Sequence, residues 1–209
     1  MGQYRTLDEA LNEVDEFSTI FISEGVYTLK QPIKKRGLIF ERRDTEKKVY
    51  IIGSEGPTIK IELAQEDYVV FKKIIIMHSG SQVGMKFNEA NVNEPKYCQL
   101  PKLKTIKQFE IHHDMDCLLM VISGGVMLRD CTLTLRSMPM KLKCKYPCIV
   151  TMPKTFLNMT SCEVLGTLTN HNAAGIFINS HVFVSDCKFT DFKAGCIYSF
   201  GKPHNMVSI

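Results

Sequence analysis

Three stretches of the chain repeat one pattern: VMLRDCTL at 126–133, FLNMTSCEV at 156–164 and VFVSDCKF at 182–189. Each begins with a short alternating apolar run, passes through two polar residues to a cysteine, and then resumes the alternation. Because β-branched and aromatic residues in short alternating runs favour strands, each stretch predicts two strands joined by a tight turn. The unequal intervals between the repeats are typical of a solenoid whose coils differ in loop length.

The cysteine stands at the same place in each repeat. Stacked coils superpose equivalent side chains, so we expect Cys131, Cys162 and Cys187 to form an inward-facing ladder of buried, reduced thiols. No apolar signal segment follows the N-terminus, which favours an intracellular, cytoplasmic location. The chain also has no uncharged apolar run long enough to span a bilayer, so no membrane span is expected.

The N-terminal segment predicts a helix. Thr6 and Glu9 form a capping-box pattern, and apolar residues recur at helical spacing from Leu7 to Val14. We expect a helix over 6–16 within an N-terminal cap, residues 1–17, that covers the open end of the solenoid. Short strands are then predicted at 19–22, 26–29, 49–52, 58–63, 68–71 and 74–77.

A polar stretch rich in asparagine, proline and lysine interrupts the strands at 88–107 and predicts a surface insertion. The fold class expected for the whole chain is all-β, a right-handed parallel β-helix with a short N-terminal capping helix. We expect residues 1–209 to form one such domain.

The residues of the first coils carry a family resemblance. LDEAL at 7–11 followed by TIFISEGVY at 19–27 resembles the start of pectin-lyase-like right-handed β-helix proteins, and VYIIGSEGPTI at 49–59 is similar to their next coil. Ser23 stands where that superfamily commonly has proline. The resemblance implies the fold and leaves the activity open, since β-helices host many functions. Among them, the non-enzymatic β-helix modules of eukaryotic SHC-SH2-binding and F-box-associated proteins resemble this chain most in lacking a visible row of catalytic residues.

Two clusters could in principle bind a metal ion. HHDMD at 112–116 is better explained as a polar turn, because adjacent residues cannot converge on one ion without distant ligands. CKYPC at 144–148 supplies two thiols, whereas a zinc site needs about four ligands. We therefore expect one loop thiol and one core thiol there, and no metal site or cofactor.

A catalytic row is not evident either. The stretch from Asp186 through Asp191 and Phe192 to Phe200 resembles a motif of pectin methylesterases, but a full strand separates its two halves. Asp130 and Asp186 are equivalent in the repeats, yet Ser161 stands between them, whereas a glycosidase needs two facing carboxylates. No catalytic residue is predicted.

The strongest surface feature is a basic segment at 30–48, which holds eight Lys or Arg against three acids, beside an acidic N-terminal end. We interpret it as a loop that projects from the solenoid and docks on an acidic protein surface. Nucleic acid is disfavoured, because Phe40 is the segment's one aromatic residue and the net charge is only +4. The predicted binding residues are Lys34, Lys35, Arg36, Arg42, Arg43, Lys47 and Lys48.

The function favoured by these observations is a non-enzymatic, rigid interaction scaffold within a multi-protein intracellular assembly, for example a cytoskeletal or ciliary one. The alternative is a carbohydrate-active β-helix enzyme, that is, a polysaccharide lyase, hydrolase or esterase. The two differ in whether carboxylates face a common groove.

Overall fold

The computed structural model describes residues 4–54, 56–78, 117–135, 148–166, 176–178, 180–192, 197–199 and 207–208. These residues form three parallel sheets, A, B and C, of a parallel β-helix. From residue 39 onward the chain visits them in the repeating order A, B, C, so that each round of three strands is one coil, whereas in the first coil only a bridge from Ile33 to Ile61 stands in the place of a sheet C strand. The predicted fold class is confirmed. The insertion predicted at 88–107 lies outside the described residues.

Sheet A contains seven parallel strands. They are β1 (Thr19–Ile22), β3 (Ile39–Arg42), β6 (Tyr68–Lys72), β9 (Gly125–Arg129), β12 (Phe156–Thr160), β15 (His181–Ser185) and β18 (Val207–Ser208). Sheet B contains β2 (Gly25–Tyr27), β4 (Val49–Gly53), β7 (Ile75–His78), β10 (Thr132–Leu135), β13 (Glu163–Leu165) and β16 (Lys188–Thr190). Sheet C contains β5 (Pro57–Glu62), β8 (Cys117–Ser123), β11 (Ile149–Thr151), β14 (Ile176–Ile178) and β17 (Ile197–Ser199).

The core is built of rows that run along the solenoid axis. In sheet A, Phe40 pairs with Phe71 in parallel register, and the two buried rings stack at 4.7 Å between centroids. In sheet B, Ile51, Ile76 and Leu133 form a similar buried row. Alternation places one side of each strand in the core and the other outside, as the period of two requires.

The helix α1 spans Leu7–Glu13, three residues shorter than predicted at its C-terminal end. The Thr6 side chain accepts from the Glu9 amide at 3.1 Å, as the capping pattern predicts. Val14 leaves the helical conformation, and Lys35 Nζ donates to the carbonyls of Asn12 and Val14 at 2.8 and 2.7 Å. Leu7, Ala10 and Leu11 are buried in the core of the first coil, so the helix packs on that end of the solenoid.

The turn between sheets A and B repeats in four successive coils. Lys73, Asp130, Ser161 and Asp186 occupy equivalent positions, and each has a positive φ between 52° and 57°. One left-handed residue therefore reverses the chain, and the next residue points inward. Those inward residues are Ile74, Cys131, Cys162 and Cys187.

Candidate interaction surface

The thiol ladder is confirmed for its two inner members. Cys131 and Cys162 are 1% and 2% exposed, and the five described cysteines are free thiols. Each Sγ of the ladder bonds to the carbonyl oxygen two residues earlier, at 3.2–3.3 Å. The Cys131 Sγ also donates to Phe71 O, and the Cys162 Sγ to Leu128 O, both at 3.4 Å. These bonds tie each turn to the preceding coil.

Cys187 differs from the prediction, because it is half-buried rather than buried. Its sulfur accepts from the Cys162 amide at 3.4 Å. Burial raises the pKa of the Cys187 thiol, and the hydrogen bond with Cys131 together with burial raises the pKa of Cys162. Both thiols are therefore held in the protonated, weakly nucleophilic form, which suits a structural row better than a reactive one.

The basic segment is not a projecting loop, which corrects the sequence-based interpretation. Residues 30–48 include Ile33, which bridges to Ile61, and strand β3, and they bury Leu38 and Phe40 completely. The segment is therefore part of a coil. The charged residues around β3 concealed its short apolar run, so no strand was predicted there.

The coil divides the predicted binding residues between two places. Lys34, Lys35 and Arg36 lie before β3, where Lys35 holds the end of α1 and Lys34 pairs with Glu62 at 3.4 Å. Hydrogen bonding to Glu16, at 2.8 Å, raises the pKa of Arg36. This first group is therefore engaged within the chain.

Arg36 makes two further contacts there. It reaches Asp67 at 3.7 Å and lies over the Phe17 ring at 5.2 Å. On the other side of Lys34, burial opposes ionisation of Glu62, but the bonds from Lys60 and Lys34 outweigh it and lower the Glu62 pKa. These partners show that the first group stabilises the junction between cap, first coil and second coil.

The second group lies at and after the end of β3. Arg42 is half-buried at the strand end, whereas Arg43, Lys47 and Lys48 are exposed in the turn from sheet A to sheet B. Lys47 approaches Glu24 at 3.7 Å, an exposed pair of little energetic weight. Arg43 and Lys48 have no carboxylate partner among the described residues.

Two further cations, which the sequence did not predict as binding residues, lie on the same side of sheet A as this second group. Lys73 and Arg129 stand at the same side of sheet A in the next two coils, and neither pairs with a described carboxylate. We call Arg43, Lys47, Lys48, Lys73 and Arg129 the basic edge. The edge keeps a small excess of cations over its acids, which are Glu24, Asp44, Glu46 and Asp130. The repeats gave a signal for Arg129, because it directly precedes the left-handed residue.

Beside the basic edge lies an apolar strip on the outer surface of sheet A. Ile39, Val70 and Met127 align across β3, β6 and β9, and Phe183 continues the row after Asn158. Parallel to this row, the rings of Tyr68 and Phe156 meet at 6.2 Å between centroids. They can meet because Gly125 stands between them, where a Cβ would collide with the Phe156 ring. We call these residues the sheet A face: Ile39, Tyr68, Val70, Met127, Phe156 and Phe183.

The residues considered for catalysis are exposed and dispersed. Asp130 and Asp186 stand on the A–B side with Ser161 between them, and Ser185 Oγ donates to Asp186 Oδ2 at 2.9 Å. Asp191 is exposed, while Phe192 packs against the core. Phe200 and Gly201, residues 112–116 and residues 144–147 lie outside the described residues, whereas Cys148 is buried.

Within the described ranges, no three His, Cys, Asp or Glu side chains are grouped so that they could hold a metal ion. Those ranges also contain no helix long and apolar enough to cross a bilayer.

The comparisons with known proteins agree with this architecture. No family model matches the sequence, and no curated protein matches it significantly. Among solved structures, the chain is similar to a pectin methylesterase from Yersinia enterocolitica, with a TM-score of 0.51, 11% identity, and coverage of 92% of this chain and 58% of that one.

It is also similar to the pectin methylesterase PemA from Erwinia chrysanthemi, with a TM-score of 0.50, 11% identity, and coverage of 88% of this chain and 62% of that one. The chain therefore spans about six-tenths of the length of these two enzymes. At such low identity the likeness shows the fold alone. The chain shares the parallel β-helix architecture of these two enzymes.

Proposed function

We propose that this β-helix is a non-enzymatic interaction scaffold that binds an acidic protein surface through the basic edge. It would be of the kind found in SHC-SH2-binding proteins, within an intracellular multi-protein assembly such as a cytoskeletal or ciliary one. The observation that carries the proposal is the division of the cations. Lys35 and Arg36 are engaged inside the chain, whereas Arg43, Lys48, Lys73 and Arg129 lack a carboxylate partner among the described residues.

Rigidity supports the same function. The basic edge is attached to sheet A, whose strands are held by ladder hydrogen bonds and buried rows, so the backbone positions of Lys73 and Arg129 in successive coils keep a fixed spacing of about 4.8 Å. Fixed charges of one sign attract and orient a partner of opposite sign without a large entropic cost of ordering.

The test compares two triple charge reversals. The first variant carries Arg43→Glu, Lys47→Glu and Lys48→Glu on the basic edge. The control carries Arg5→Glu, Lys30→Glu and Lys154→Glu, which give the same change in net charge at exposed positions away from that edge. Lys34 is left unchanged because it pairs with Glu62, whereas Arg5 is exposed without a described ion pair. Both triple variants should then fold, since exposed substitutions usually cost about 0.5 kcal/mol or less each.

Affinity capture from native extract, at low salt and at physiological ionic strength where the Debye length is about 8 Å, is the measurement. We expect the wild type and the control to retain acidic partners and the basic-edge variant to lose them. Equal capture by all three proteins would contradict the proposal. Methanol release from methyl-esterified pectin by the wild type, abolished by Asp186→Ala or Asp191→Ala, would instead favour the carbohydrate-active alternative.

A further inference from the structure

The sheet A face is apolar and continuous over several coils, although it lies outside the solenoid. Tyr68 and Phe183 are each 41% exposed, Ile39, Met127 and Phe156 are half-buried by their neighbours, and Val70 between them is buried at 7% exposure. Single exposed apolar residues are ordinary, but aligned ones on a flat sheet form a patch, and such patches mark interaction sites.

The patch is bordered by charge on one side. Across β3, β6 and β9 the adjacent outer row is Glu41, Lys72 and Arg129. Glu41 accepts an ion pair from Lys72 at 3.3 Å, so its charge is compensated. Arg129 and Lys73 pair with no described carboxylate and outnumber the exposed Asp130 beside them, so the border keeps a net positive charge.

The described connections on either side of sheet A are short, so no long described loop adjoins its outer surface. The longer connections, after β7 and β10, join sheet B to sheet C. The A–B turns of coils three to six are only a left-handed residue followed by an inward one.

The size of the face selects the kind of partner. Five strands from β3 to β15 extend about 19 Å along the axis, and five-residue strands are about 16 Å wide, which gives roughly 300 Å². A stable interface between two globular surfaces buries about 800 Å² on each partner. A second copy of this chain packed face to face would fall short of that area, whereas a single narrow segment would be accommodated.

Backbone hydrogen bonding selects the conformation of that segment. The outer surface of a sheet presents side chains and offers no free backbone groups, because the ladders already use them. An extended segment laid on this surface would leave its own N–H and C=O groups unpaired, but a helix satisfies its own. A helix about 10 Å in diameter also fits the width of the face, and about 13 residues span its length.

We propose that the sheet A face binds one acidic amphipathic α-helix of a partner protein, lying along the solenoid axis. The apolar stripe of the helix covers Ile39, Met127 and the rings of Tyr68 and Phe156, and carboxylates on its flank meet Lys73 and Arg129. One helical turn rises 5.4 Å and one coil about 4.8 Å, so successive turns meet successive strands. The inference rests on the proposed function in taking the partner to be acidic, and it adds where and in what form the partner binds.

The test uses designed 16-residue helical peptides and the intact chain. The probe carries a leucine stripe at i, i+3, i+4 and i+7 with glutamates on one flank. One comparison peptide has the same composition with the stripe scrambled, and another replaces the glutamates with lysines. Fluorescence anisotropy should show saturable binding of the probe, weakened at least tenfold in both comparison peptides.

Variants of the chain locate the site. Met127→Asp should weaken probe binding at least tenfold, and Arg129→Glu several-fold with a shallower dependence on salt. Met77→Asp is the matched control, because Met77 is a half-buried outward methionine on β7 of sheet B. It should bind the probe like the wild type.

Absence of saturable probe binding, or equal effects of Met127→Asp and Met77→Asp, would overturn the inference. Retained partner capture through the basic edge, with no probe binding, would leave the proposed function standing and remove only the helix and its place on sheet A. Loss of both would remove the two together.

Discussion

The chain passes from sheet A to sheet B in two different ways. In coils three to six the turn is one left-handed residue followed by an inward side chain, and the thiols of three of these coils form a row. In the second coil the same passage takes residues 43–48, which are exposed and mostly charged. The turn that supports the core is therefore repeated from coil to coil, whereas the turn at 43–48, which only connects two strands, differs from it. The irregular turn is therefore the part of this edge that is free to carry a function.

The largest expected effect comes from placing a charge in the thiol row. Cys162→Asp should destabilise the chain by about 3–5 kcal/mol, because an uncompensated buried charge has that cost. Chemical denaturation followed by circular dichroism measures it. Cys162→Ser should lose about 1–2 kcal/mol. The free energy of unfolding of Cys187→Asp, at the half-exposed end of the row, should lie between those of the wild type and Cys162→Asp. An equal loss at both positions would show that the cost of the charge does not depend on burial.

A smaller effect is expected at the left-handed residue of the regular turn. Ser161→Val should cost about 1–2 kcal/mol, because a β-branched residue resists a φ of 53°. Ser161→Gly should be neutral or slightly stabilising. The control is Thr45→Val in the irregular turn, which is exposed and should change the unfolding free energy by less than about 0.5 kcal/mol. Equal losses of unfolding free energy at the two positions would show that the two turns do not differ in how strictly they constrain the backbone.

The next effect separates structural from available cations. Lys35→Ala removes two bonds to the carbonyls at the end of α1 and should lower the unfolding free energy by about 1–2 kcal/mol. Lys48→Ala, at an exposed position without a described partner, should change it by less than about 0.5 kcal/mol. Thermal unfolding of both variants measures the contrast, and identical midpoints would mean that Lys35 does not support the helix.

Much of the fold could be predicted from the sequence, because the stacked rows of a solenoid produce repeated residue patterns. The repeats around Cys131, Cys162 and Cys187 predicted the turn, and the capping residues Thr6 and Glu9 predicted the start of α1. Strand β3 was missed because only Leu38, Ile39 and Phe40 are apolar among many charges. The helix end was misplaced because Lys35, distant in sequence, satisfies its last carbonyls.

The candidate surface was less predictable, for a physical reason. Charge can be counted along a chain, but whether a cation is engaged depends on which carboxylates the fold brings near it. Arg36 and Arg43 look alike in the sequence, yet one is bonded to Glu16 and the other is exposed without a described partner. The sheet A face is likewise formed by residues from distant coils. Within each repeat, the alternation of residues indicates only that Met127 and Phe183 point outward.

The central claim is that the basic edge, which runs from the irregular turn at 43–48 to Lys73 and Arg129, meets a partner. Lysine acetylation of the native complex and of the free chain, read by mass spectrometry, tests it most directly. We predict that Lys47, Lys48 and Lys73 become several-fold less reactive in the complex, while Lys154 and Lys188 keep the reactivity that they have in the free chain. Unchanged reactivity at Lys47 and Lys48, with shielding at Lys154 or Lys188, would contradict the account.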